Sequence, residues 1–207
     1  MYVPQSFAEL EQETLLDFIE QRSFATLVTQ DADRPVVSHI PLLLDRTTGT
    51  DGCLIGHMAR ANPQWRHMEH RSALAVFNGA NAYISPAWYE VANAVPTWNY
   101  VAVHVYGTVR LEHDSDQLLQ IVRRYVDFFE ADISTPWSVD DADPEFIDKL
   151  LGAIVGFTID IERIEGKWKL SQNHDRDRRT QVIRALRNAG GHDERQIADL
   201  MTATLEE

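Results

Sequence analysis

The stretch "YVAVHVYGTVRLE", residues 100–112, decides the fold class. Val101, Val103, Val105, Val109 and Leu111 alternate with Tyr100, Ala102, His104, Tyr106, Thr108 and Arg110. Period two held over that length is a long strand with one dry face and one aromatic, polar face. Such a second face suits another subunit or a flat ligand better than bulk water.

Outward from that strand the same alternation returns in "VGFTIDIERIEGKWKL" (155–170), where Phe157, Ile159 and Ile161 alternate with Thr158, Asp160 and Glu162. Shorter strands are predicted at "FATLVTQ" (24–30), "VVSHIPLLLD" (36–45) and "CLIGHM" (53–58), with Pro41 implying an edge or a bulge. "SALAVFNG" (72–79) and "AYISPAWY" (82–89) read as two strands around a Gly-Ala-Asn turn. Apolar spacing predicts a helix over 7–21, and another over 115–131 capped by Asp114 or Ser115. A short helix starts at Pro63 and runs to about His70, and a further one over 143–154 has Asp143 as cap and Pro144 in its first turn. From Arg176 the chain turns helical and charged, with a break at Gly190–Gly191. Closely spaced antiparallel strands with helices between them predict a mainly β fold with peripheral helices, a small barrel. The spacing is too tight for a doubly wound parallel sheet, and neither common glycine-rich nucleotide loop is present.

The 207 residues suffice for one sizeable domain, read here as 1–175 followed by a helical tail over 176–207. No apolar run reaches the roughly 18–20 residues of a membrane span. The N-terminal segment has no secretory character, and Cys53 stands alone, so a cytoplasmic setting is expected. A net charge of −13 disfavours general adhesion to nucleic acid or anionic lipid while leaving room for a local basic pocket. Two of the three lysines, Lys167 and Lys169, bracket Trp168.

Three segments could carry chemistry. In "GHMARANPQW" (56–65) a strand hands over to a helix, and Arg60, Asn62 and His57 together could hold an anion. The plainer reading is a helix cap, a surface arginine and a satisfied histidine. In "EGKWKLSQN" (165–173) an apolar plane flanked by cations precedes Ser171, Gln172 and Asn173, a mixture that suits a flat heteroaromatic ring. Against it stands a core tryptophan whose lysines extend to water. Tyr83, Trp88, Tyr89, Trp98 and Tyr100 crowd into fewer than twenty residues, as in a core, an interface or a ligand wall. No nucleophile motif is present, and His39, His57 and His104 match no ordinary zinc spacing. Arg176, Arg178, Arg179, Arg184 and Arg187 form a basic stripe that could touch DNA phosphates, or simply pair with the chain's own carboxylates.

In order along the chain, "MYVPQSFAE", "SHIPLLLD", "GHMARANPQW", "AYISPAWY", "VPTWNYVAVHVYG" and "GKWKLSQN" closely resemble the PaiB-type proteins. That family is described as FMN-binding, split-barrel, negative regulators of transcription. The resemblance runs from residue 1 to about 173. It implies an antiparallel split β-barrel, a homodimer, and FMN held noncovalently where the subunits meet. It further implies phosphate contacts from Ser38, His39, His57, Ala59, Arg60 and Asn62, with Trp168, Lys169, Ser171 and Gln172 near the isoalloxazine. Within the wider split-barrel group the alternative is a flavin-dependent oxidoreductase, or a flavin reductase using a reduced nicotinamide. The arginines and histidines that oxidase relatives use for pyridoxal phosphate have no counterpart cluster here. Direct DNA binding is not supported by the net charge.

Overall fold

The computed structural model of the chain describes residues 1–49, 51–89 and 93–206. Its strands are β1 (Ala8–Glu9), β2 (Phe24–Asp31), β3 (Arg34–Pro41), β4 (Leu43–Asp45), β5 (Cys53–Ala59), β6 (Ser72–Ile84), β7 (Thr97–Glu112) and β8 (Ile154–Lys169). The α-helices are α1 (Gln12–Gln21), α2 (Ser115–Glu130), α3 (Pro144–Leu151), α4 (Arg176–Ala189) and α5 (His192–Glu206). The strands form one antiparallel sheet in the order β3-β2-β6-β7-β8-β5-β4, with β1 added onto β8. β3 lies at an end of that order, where the missing N–H of Pro41 costs no ladder bond. None of the helices in the described residues is long and apolar enough to cross a membrane.

Three expectations need correction. The helix expected from residue 7 starts at Gln12, because Ala8 and Glu9 instead pair with Lys167 and Gly166 of β8. The strand expected over 36–45 is two strands, β3 and β4, broken at the fully buried Leu42 just after Pro41. The two strands expected within 72–89 are one, β6, followed by a single 3₁₀ turn at Pro86–Tyr89. Buried positions run Ala73, Ala75, Phe77 and then Ala80, Ala82, Ile84. Asn78–Gly79 therefore marks a one-residue slip in face, not a turn.

The chain divides into two compact units. The first comprises residues 1–18, 77–104 and those from 165 onward; the second comprises 19–76 and 105–164. β6, β7 and β8 contribute to both.

The first unit buries Ala80, Ala82, Ile84, Val101 and Leu170 against Val182 and Leu186 of α4 and Ile197, Ala198 and Met201 of α5. Asp175 caps α4, and Gly190, at φ +75°, ends it by returning its N–H to the Leu186 carbonyl. That left-handed residue lets the chain reverse into α5.

The second unit packs Leu43, Cys53 and Ile55 against Ile121 and Tyr125 of α2. Asp114 caps α2 and Asp143 caps α3, each accepting from backbone N–H groups of the first turn. In β7 the dry face holds as expected for Val105 and Val109, and Gly107 interrupts the valines where a methyl group would collide with the Asp160 carbonyl of β8.

Candidate functional site

In the second unit β5 ends at Ala59, and a 3₁₀ turn, Pro63–His67, follows. Asn62 caps that turn by accepting from the Gln64 N–H at 3.0 Å. Its amide donates to Ser38 Oγ at 2.9 Å, and Ser38 donates in turn to Gln64 Oε1 at 2.5 Å. Gln64, only 1% exposed, also donates to Thr29 Oγ1 and to the Val36 carbonyl. Ser38 and Asn62 are thus brought together, in a closed network whose centre is a glutamine that the sequence pattern did not single out. His39, exposed on β3, meets Thr26 Oγ1 of β2 at 3.0 Å.

Arg60 follows Ala59, which is exposed at the strand end. Its Nε donates to the Gly152 carbonyl at 2.9 Å and its Nη2 to the Ile154 carbonyl at 2.7 Å, while its backbone N–H reaches the Ala153 carbonyl. The guanidinium is therefore stapled to the handover from α3 to β8. Trp65 locks the same turn through its indole N–H to the Arg60 carbonyl. His57 stacks edge-on against Tyr125, and its buried Nδ1 has no hydrogen-bond partner among the described residues. Burial pushes its imidazole below the usual histidine range, so the ring is neutral at physiological pH.

A flavin phosphate demands fixed donors. Arg60 can offer Nη1, which makes no hydrogen bond among the described residues, and His57 can offer Nδ1. Both are donor types that suit a phosphate, with the His57 Nδ1 buried. Ser38 and Asn62 are occupied with each other and hold the turn in shape.

In the first unit the end of β8 is arranged as a strand must be, with neighbouring side chains on opposite faces. Trp168 packs edge-on to Phe18 at 5.3 Å and joins the core. Lys167, buried, donates to the Tyr2 carbonyl at 3.0 Å and lies over the Tyr100 ring. Lys169 donates to Thr97 Oγ1 and to the Trp98 carbonyl. Lys167 is thus withheld from water, while Lys169 is half-buried. Ser171, at φ +65°, is buried and exchanges hydrogen bonds with Asn99, which is 0% exposed. Gln172 closes the segment, donating to the Trp168 carbonyl and accepting from the Leu170 N–H.

Lys169 and Ser171 line a cavity of about 270 Å³ that also receives His174 and Arg178. Sequence reasoning passed over His174 and read Arg178 only as part of the basic stripe, although "SQNHDRDRR" carries basic residues directly after the polar strand end.

Three of the five arginines of α4 are occupied within this unit. Arg176 donates to the Leu205 carbonyl, Arg179 to Thr204, and Arg187 to Asp199 and Thr202. They fasten α4 to α5.

This sheet order with its inserted helices defines a protein of the split-barrel class. Among solved structures, the flavocytochrome Anf3 from Azotobacter vinelandii matches with a TM-score of 0.58 at 16% identity, covering 81% of this chain and 72% of its own. The FAD and heme binding protein from Mycobacterium smegmatis matches with a TM-score of 0.60 at 15% identity, covering 89% and 80%. At such identities the likeness is one of fold. The family model described as "Putative FMN-binding domain" matches residues 1–163. The "Protease synthase and sporulation protein PAI 2" of Bacillus subtilis (strain 168) is 36% identical over 202 residues, covering 97% of this chain and 96% of the relative. The chain belongs to the PaiB-type family of FMN-binding split-barrel proteins, and FMN is its cofactor.

Proposed function

We propose that the protein holds FMN noncovalently at the interface of a homodimer and that it lowers transcription through a protein partner, not by reading DNA itself. The observation that carries the dimer is a solvent-facing aromatic pair in the first unit. Tyr83 of β6 and Trp98 of β7 are 47% and 53% exposed, and their rings meet edge-on at 6.1 Å. Beside them Asn78, Asn81 and Tyr100 line a groove of about 300 Å³. Large aromatic rings held rigidly in water beside a groove are the composition of an interface core.

The phosphate is assigned to the turn after β5, with Arg60 Nη1 and His57 Nδ1 as its donors and Ser38, His39, Ala59 and Asn62 shaping the turn. An indirect mode of regulation is supported by the net charge of −13 and by the α4 arginines that already hold α5. The test is a visible spectrum of the purified protein together with its mass in solution by light scattering. A yellow dimer, or a colourless one that gains flavin bands with added FMN, is expected. A monomer that takes up no flavin overturns the reading.

A further inference from the structure

The cavity at the end of β8 is basic in its lining. Its cations are Lys169 and Arg178, with His174 beside them, and no aspartate or glutamate is among its lining residues in the described part of the chain. In a chain of net charge −13 with only three lysines, that convergence is a local reversal of sign. Burial, and then the nearby Lys167, push the Lys169 ammonium below its usual range. Burial and then Arg178 hold His174 low, with Asp175 opposing and Lys169 adding to the effect. Burial and a neighbouring positive charge both work against the charged form of Lys169, and a bound anion would offset them. Asp175, near them, caps α4 and sits 3.5 Å from Arg178 Nε.

The wall is preorganised. Lys169 is aimed by Thr97 Oγ1 and the Trp98 carbonyl, and His174 is set edge-on against Tyr89 at 5.2 Å. Ser171, in its left-handed conformation, is fixed from behind by the buried Asn99. Ala94, Val95 and Pro96 supply an apolar side. The volume is that of roughly nine water molecules, enough for a phosphoryl group and a short organic body.

We propose that this cavity is a receptor for a phosphate monoester, with Lys169 and Arg178 gripping the dianion and His174 at its edge. A phosphate dianion matches two cations better than a singly charged carboxylate ligand would. The phosphate can come from FMN itself, which would move the flavin phosphate here from the turn at Arg60, or from a second phosphorylated compound, which leaves that assignment standing.

The experiment is calorimetric titration of the full-length protein with inorganic phosphate, FMN and riboflavin, in wild type, Arg178→Gln, Lys169→Gln and Arg184→Gln. Arg184 is exposed on α4 and gives the same charge change away from the cavity. Since Lys169 also holds Thr97 and Trp98, Arg178→Gln is the deciding variant should Lys169→Gln fold poorly. Phosphate binding that weakens about tenfold or more in Arg178→Gln and holds in Arg184→Gln supports the site. If FMN weakens in step and riboflavin does not, the phosphate is the flavin's own. If FMN affinity is unchanged while phosphate binding is lost, the ligand is a second compound. Phosphate and FMN affinities that are both the same in Arg178→Gln and wild type overturn the proposal, whatever the outcome at Arg60.

Discussion

The imidazole of His57 stands edge-on to the ring of Tyr125, centroids 4.8 Å apart, joining the end of β5 to the middle of α2. The Tyr125 hydroxyl lies 2.8 Å from the Pro41 carbonyl and 2.9 Å from the Ile55 carbonyl, and burial pushes its pKa well up. One phenol therefore serves two carbonyls at the point where β3 ends and β4 begins. Tyr125→Phe keeps the ring and removes the donor. A loss of about 1–3 kcal/mol is expected, seen as a lower urea midpoint with an unchanged m-value. An unchanged midpoint would mean that water replaces the hydroxyl.

The partner ring gives a pH signature. Burial holds the His57 pKa below its ordinary value of 6.5 in the folded protein. Above that value both states are neutral and the stability is fully present. As pH falls through 6.5 the unfolded chain takes up the proton first, so stability declines toward the lower folded pKa. His57→Phe preserves an edge-on ring and cannot titrate. Denaturation midpoints measured from about pH 7.5 to about pH 5 are expected to fall less steeply in this variant than in wild type. His104 and His174, also depressed chiefly by burial, retain the remaining slope.

A second titration lies far lower. Burial tends to raise the Asp45 pKa, but hydrogen bonds from Thr47 and Arg124 outweigh it and bring it from 3.8 to about 2. Arg124 Nη2 sits 2.7 Å from Asp45 Oδ2, fastening α2 to β4. The carboxylate's contribution is present above 3.8 and is lost as pH falls toward 2. Arg124→Gln is expected to move the midpoint of acid unfolding to higher pH, followed by tryptophan fluorescence. Coincident acid curves for the two proteins would count against the pairing.

The alternation in 100–112 and 155–170 carried β7 and β8 into view because a strand buried on one face writes its period into the chain. Asp114, Asp143 and Asn62 were legible as caps because a capping side chain acts within three residues of itself. What escaped was non-local. Ala8 and Glu9 pair with residues more than 150 positions away, and no local propensity registers that. Gly79 looked like a turn because a glycine in a strand can mark either a reversal or a slip, and only the neighbouring strand decides. At the site, the residue types in "GHMARANPQW" allowed either an anion or a plain helix cap with a surface arginine, and two of the Arg60 donors go to the Gly152 and Ile154 carbonyls, some ninety positions on. Gln64 gave no signal, since a buried amide and an exposed one are the same letter.

Those same carbonyl contacts separate two roles of Arg60, as staple and as phosphate donor. Removing the side chain leaves the Gly152 and Ile154 carbonyls short of a partner, so Arg60→Ala is expected to lose about 1–3 kcal/mol of stability by urea unfolding. Binding should fall as well, by about 2 kcal/mol or roughly 30-fold in Kd, measured by flavin fluorescence quenching at a temperature where the variant is fully folded. Arg60→Lys keeps the charge but lacks the planar fork, so one ammonium cannot serve both carbonyls and a phosphate at once. It is expected to recover part of the stability and little of the affinity. A variant that is destabilised as expected but binds FMN like wild type would leave Arg60 a structural staple alone, and the flavin phosphate would then have to be sought at other cations.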